Sequence, residues 1–302
     1  MRLQSCRALI VGNAALDILC FPINDVPRHG SITFEKYDIF PGGCGSNTAI
    51  GLAKSGIMTT LIAYTGSDYA GMLALETWNS AGIDTDYVQT TKEQPTGLTI
   101  GLVDDDAQPR FVYQPGANTL MKTETIRSLD IRAENFSVFH VAGYFLLPGL
   151  IDENFSGVLE EFHTAGVFTS LDVALSPMMA APRNLWLCLP HLDVFFCNLA
   201  EAEVLTGKSS PNQAALELRA RGARAVIIKM GAHGSWLECD DYSKTIPPEP
   251  AMVVDTTGAG DAYCAAFISS ICKGNDYSTA CGQASKAGAK IISKFGAVSA
   301  WF

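Results

Sequence analysis

Short apolar runs bounded by Gly, Pro or Asn recur along the chain, at residues 8–12, 59–64, 138–141, 167–172, 194–197 and 225–229. Runs of that length that are apolar at consecutive rather than alternate positions predict strands covered on both faces, as in a parallel sheet. Between them the apolar positions fall three and four apart, which predicts helices over 46–55, 71–81, 152–165, 211–221 and 259–273. Strand and helix in alternation give a doubly wound α/β fold with a mostly parallel sheet and right-handed crossovers. Three stretches, 31–40, 96–103 and 109–114, alternate in the strand manner instead, and the last two flank the turn-rich acidic run at 104–106. They predict a small separate β-sheet within about 31–40 and 96–114, either a lid over a cleft or a plain surface hairpin. The whole chain, 1–302, reads as a single α/β domain carrying this appendage.

Hydrophobic residues make up 48% of the 302 and charged residues 17%, a globular composition. The formal net charge of −10 argues against nucleic acid and anionic membranes as partners, since phosphate contacts need clustered Lys and Arg. An anionic ligand would need a local site of backbone amides, a helix N-terminus or a metal ion. The opening apolar stretch is too short for a secretory or spanning segment, so the expected location is cytoplasmic. Nine scattered cysteines without a C-x-x-C pair read as reduced thiols.

The candidate chemistry lies in five places. Asp255-Thr256-Thr257-Gly258-Ala259-Gly260-Asp261 opens into a small-residue helix, where successive amides can converge on a phosphate. Asp261 would then stand beside that phosphate as a base, or would simply cap the helix. Gly42-Gly43-Cys44-Gly45-Ser46-Asn47 feeds another helix, with glycines that allow close approach and an Asn suited to a vicinal diol, yet without the spacing of a Rossmann or Walker loop. Asp17 follows the first strand and can accept two hydroxyl hydrogen bonds, or can cap a turn. Asn198 and Glu201 follow a later strand and could reach Mg²⁺ through its waters, or form an ordinary helix start. Lys229 with Gly231 and Gly234 supplies a glycine loop that could run along nucleotide phosphates. The five histidines show neither metal spacing nor pairing and read as structural or surface residues.

In this order the motifs resemble the ribokinase/PfkB carbohydrate kinase family across essentially the whole chain. The resemblance implies an ATP-dependent phosphotransferase with a ribokinase-like core, a β-sheet lid above the acceptor, and ATP across the sheet edge. It implies acceptor binding by Asp17, Gly42, Gly43 and Asn47, an anion hole at Gly258, Ala259 and Gly260, and Asp261 as the base. Nucleotide binding falls to Asn198, Lys229, Gly231, Gly234 and Ser285, the last standing where the family commonly has Asn beside the adenine. Glu201 falls to Mg²⁺, and Asp255 and Thr257, with the segment 296–299, to K⁺. Ribokinases proper carry a glutamate after the central strand, where this chain reads Val141-Ala142-Gly143-Tyr144, which puts ribose in doubt. The expected acceptor is a small sugar or sugar acid. A nucleoside, of adenosine or inosine type, is the alternative, and a catalytically silent ligand-binding protein is the reading from another class. A homodimer formed through the lid is expected.

Overall fold

The computed structural model describes residues 6–106, 109–129, 131–174 and 183–302. All six apolar runs are parallel strands, and in space they lie in the order Met58–Ile62, Arg7–Gly12, Val138–Ala142, Phe168–Asp172, Val194–Asn198 and Val226–Lys229. An antiparallel hairpin, Ser235–Glu238 and Ser243–Ile246, continues the sheet to eight strands. The reason the runs are apolar at consecutive positions with few polar interruptions is visible in the core. Leu9 and Val11 join one buried cluster while Ala8 and Ile10, on the opposite face of the same strand, join the other. Helices cover both faces, so neither side of these strands meets water.

The chain moves outward from Arg7–Gly12 to the edge strand Met58–Ile62 and later resumes on the other side, at Val138–Ala142. Such a reversal leaves a crevice at the carboxyl ends of the two strands that flank it. The helix Cys44–Lys54 starts in that crevice. It runs alongside the helix Ala259–Cys272, and the two come close at Gly51, where a Cβ would lie 2.7 Å from the Ala265 methyl. One turn earlier on each helix stand Asn47 and Asp261, so the tight packing of small residues sets the spacing of two site residues.

The second sheet is four-stranded, in the order Lys36–Gly42, Ala15–Phe21, Gly97–Val103 and Pro109–Gln114. The last two match the expected strands closely, whereas the segment expected at 31–40 becomes a strand only from Lys36 and extends to Gly42. The strand Ala15–Phe21 was not foreseen. Only two residues separate it from the first strand, so the two apolar runs merge by eye. The register aligns Phe40, Asp17, Thr99 and Tyr113 in one row across the sheet, and Ile39, Ile18, Ile100 and Val112 in the next. Successive residues of a strand face opposite ways, so these rows occupy opposite faces. At the root of this sheet Asn118, fully buried, accepts a hydrogen bond from the Ala14 amide (2.9 Å) and donates to the Ala14 carbonyl (2.8 Å).

Two further readings change and one helix is added. The helix expected from 152 begins at Phe155, because the Asp152 carboxylate accepts from the amides of Asn154 and Phe155 and forms a turn ahead of it. A helix not expected, Tyr277–Ile292, starts where Asp276 accepts from the Thr279 amide. The expectation of nine reduced thiols is corrected: Cys6 and Cys272 are joined by a disulfide, while the other seven are free. The pair lies 266 residues apart, so no local spacing could announce it. Among the described residues no helix is long and apolar enough to cross a membrane.

Candidate active site

All six parallel strands end on the same edge, and Gly12, Ile62, Ala142, Asp172, Asn198 and Lys229 are their terminal residues. Asp172, at the end of Phe168–Asp172, was not singled out from sequence. Its carboxylate accepts from the Lys229 ammonium at 2.8 Å, with both groups largely buried. Burial works against the Lys229 charge, but the carboxylates of Asp172 and Glu201 outweigh it and hold the lysine protonated. That ammonium also reaches the glycine loop, since a Cβ on Gly260 would lie 3.1 Å from it. Lys229 therefore sits beneath the anion loop, deeper than a residue lying along an exposed nucleotide loop.

Gly258, in the left-handed region, is the N-cap of Ala259–Cys272. Helix geometry turns the amides of the first turn outward without intrahelical acceptors, where they can meet an anion. Asp255 braces this loop: its carboxylate accepts from the Thr257 amide (2.9 Å), the Thr257 hydroxyl (2.7 Å) and the Gly296 amide (2.8 Å). Asp261 does not cap the helix. Its Oδ2 accepts instead from the Asn47 side-chain amide at 2.8 Å, which joins the two glycine motifs across 214 residues. Burial raises the Asp261 pKa above the ordinary carboxylate value, against the opposing pull of Asn47 and Lys229.

Asp17 lies within the strand Ala15–Phe21 rather than at a cap. Its carboxylate rests on Gly42 so closely that a Cβ there would come within 1.9 Å of it. Only a residue without a side chain fits. Burial raises the Asp17 pKa to about 7, with the negative charges of Asp261 and Asp255 adding to the rise. One Asp17 oxygen and the Asn47 side-chain carbonyl are buried without a hydrogen-bond partner. Unmet buried acceptors are costly, and hydroxyl donors of a polyol are what would satisfy them. The small sheet places Phe40 and Tyr113 in the same row as Asp17.

Other expected residues keep their places with a plainer local role. Asn198 and Glu201 form a complete capping box, in which Asn198 Oδ1 accepts from the Glu201 amide (2.8 Å) and the Glu201 carboxylate from the Asn198 amide (2.7 Å). Gly231 opens a single helical turn and Gly234 closes it, with the Gly234 carbonyl accepting from Met230. Ser285 lies half-buried on Tyr277–Ile292, the helix packed against the one that Asp261 opens. Gly143, where a ribose enzyme would carry its glutamate region, lies against Cys44, and the Tyr144 hydroxyl turns away to the Leu150 carbonyl. Of the residues not foreseen, Asp172 was marked by its place at a strand's carboxyl end, whereas Asn118 carried no local signal. His140 is buried and hydrogen-bonded to Ser170, and among the described residues no group of His, Cys, Asp and Glu is arranged to hold a metal unaided.

This constellation, an anion loop at a helix start with a buried carboxylate beside it and a second carboxylate under a small sheet, agrees with a whole-chain match. The model of the pfkB family carbohydrate kinases matches residues 9–301. The chain belongs to that family. Among its relatives, an uncharacterized sugar kinase of Archaeoglobus fulgidus is 30% identical over 82% of this chain and 96% of its own length. A ribokinase of Staphylococcus aureus is 29% identical over 87% of this chain and 85% of that protein. Among solved structures, Arabidopsis thaliana ribokinase complexed with ribose and ATP superposes with a TM-score of 0.81 at 25% identity, covering 98% of this chain and 96% of the other. The kinase is thus an ATP-dependent phosphotransferase of ribokinase fold, with a large mostly parallel sheet, a smaller sheet and helices on both faces.

Proposed function

We propose that the kinase transfers the γ-phosphoryl group of ATP to a hydroxyl of a small sugar or sugar acid held beneath the small sheet, with the whole chain, 1–302, acting as one domain. The observation that carries this reading is the pair of unpartnered buried acceptors, Asp17 Oδ1 and Asn47 Oδ1, because two acceptors fixed by separate elements suit adjacent hydroxyls. Asn47 also donates to Asp261, so a hydroxyl positioned by Asn47 comes within the reach of the base. Asp261 accepts its proton, and the amides of Gly258, Ala259 and Gly260, together with the Lys229 ammonium, face the charge on the transferred group. Gly42 and Gly43 let the acceptor approach Asp17. Asn198, Gly231, Gly234 and Ser285 line the nucleotide side.

Mg²⁺ would draw its ligands chiefly from phosphate oxygens and water, with Glu201 acting through that water, as suits an ion that keeps much of its hydration. K⁺ would be held beside the Asp255–Thr257 turn by the Thr257 carbonyl and the segment 296–299. There it would stiffen the anion loop, so rates in potassium are expected to exceed those in tetramethylammonium at equal ionic strength. Equal rates would remove K⁺ from the scheme.

The kinase is read as cytoplasmic and homodimeric. The row Ile39, Ile18, Ile100 and Val112 supports the dimer, because an apolar stripe on the outer face of so small a sheet is poorly placed against water; Ile39 and Val112 are 41% and 60% exposed. Light scattering at micromolar concentration should give twice 32.3 kDa. A mass near one chain would make the small sheet a monomeric flap. The function itself is tested by ADP release from ATP and Mg²⁺ across a panel of pentoses, hexoses, sugar acids and nucleosides. Turnover with sugars or sugar acids and none with nucleosides is the expected pattern, nucleoside preference would move the acceptor class, and no turnover with any would favour a silent binding protein.

A further inference from the structure

At the end of the helix Ala259–Cys272 remote from Asp261, a groove of about 470 Å³ opens between this helix and Tyr277–Ile292, with Ser55 and Trp301 at its margins. Its size falls in the range of small-molecule sites. Lys273, Lys286 and Lys290 line it, and no Asp or Glu does. Acidic residues outnumber Lys and Arg by 31 to 21 in this chain, yet among the described residues the ion pairs engage none of these three lysines. Lys286 and Lys290 stand four apart, a spacing at which like charges on a helix repel. The positions of Lys273 and Lys290 near helix C-termini are individually favourable. That accounts for neither Lys286, in mid-helix, nor the serine beside it.

Ser269 is 3% exposed and lines the groove, and its hydroxyl has no hydrogen-bond partner. A helix serine without other partners ordinarily returns its proton to the carbonyl one turn back. Ser270 accepts from the Asn275 side chain at 3.0 Å, which leaves its own proton to give. Three lysines, one of them with its ammonium 5.4 Å from the centroid of the Trp301 ring, and two serine hydroxyls border one space. A flat, singly charged carboxylate would leave several of them unmet, whereas a tetrahedral dianion can use them all. We propose that this groove is a second anion site, separate from the active site, that binds the phosphate group of a small molecule. At 1.5 Å per residue, Ser269 and Lys273 lie about 12 and 18 Å along the helix from Asp261, beyond the reach of the phosphoryl group being transferred.

The test uses the full chain saturated with a non-hydrolysable ATP analogue and Mg²⁺, so that the active site is already filled. Inorganic phosphate and glycerol 2-phosphate are titrated in separately at constant ionic strength, followed by calorimetry and by tryptophan fluorescence, with Trp301→Phe separating the groove's share of the emission from that of the other three tryptophans. At least one should bind saturably at a single site, and the tighter of the two tells a free ion from an organic phosphate. Lys286→Gln and Ser269→Ala should each weaken that binding by about 10-fold, the loss expected for a hydrogen bond to a charged group. Lys244→Gln, a lysine elsewhere on the surface, should not. Lys286 is exposed on its helix, so its substitution leaves the fold intact and basal turnover unchanged. The proposal is overturned if neither phosphate binds saturably, if either groove variant binds as the parent does, or if Lys244→Gln weakens binding as much as Lys286→Gln.

Discussion

Replacing Asp261 by Asn is expected to lower turnover by about 10²–10⁴-fold while leaving half-saturating acceptor and ATP concentrations nearly unchanged. The amide has the same shape and can still accept from the Asn47 side chain, which now donates to Asp261 at 2.8 Å. It cannot take a proton. Since burial raises the Asp261 pKa, the acid limb of the turnover profile should sit above the ordinary carboxylate value and disappear in the variant. Near-parental turnover would remove Asp261 from the role of base. A rise in the acceptor requirement without loss of turnover would make it a binding residue instead.

Replacing Asp17 by Asn should act on the other constant. Two hydroxyl hydrogen bonds to a buried carboxylate, at about 1.5–3 kcal/mol each, correspond to a rise in acceptor KM of about 10²-fold or more. Its pH dependence follows from the same burial. The Asp17 pKa stands at about 7 against an ordinary 3.8, so below about 7 the free site is protonated and acceptor must displace that proton. Acceptor KM should therefore climb about tenfold per unit as pH falls below 7, flattening in Asp17→Asn. Stability runs the opposite way. The folded chain holds this proton more tightly than the unfolded one, so the stabilisation is full below about pH 4 and is lost as pH rises to about 7. Thermal melts of parent and variant across that window, with and without acceptor, would expose a wrong assignment as identical slopes.

The strands of the main sheet could be read because burial on both faces keeps most of their positions apolar, as at residues 8–11 and 194–197. The glycine motifs could be read because each opens a helix. What escaped depended on contacts between distant segments. Asp17 looks like a cap when its strand is fused by eye with the one before it, and Ala15–Phe21 is apolar at every position but Asp17, so no period of two marked it as a separate strand. Asn198 and Glu201 fit both a metal site and a capping box, and the hydrogen bonds show the box. Asp172 and Lys229 meet across 57 residues and Cys6 and Cys272 across 266. Asn118, in an unremarkable polar stretch, gains its meaning only from the backbone of Ala14.

That last contact decides how the small sheet can move. Asn118 grips both the donor and the acceptor of Ala14, one residue before the strand that carries Asp17, so the sheet is clamped at its root. A plate clamped along one edge would open by swinging, with displacement growing with distance from the clamp. Asp17, three residues away, would lie near the still line of such a swing and keep its aim with the plate raised or lowered. Tyr37 and Phe111, far out along their strands, would travel furthest. The arrangement separates two demands that a binding site usually sets against each other: a gap wide enough for entry, and a carboxylate that does not wander.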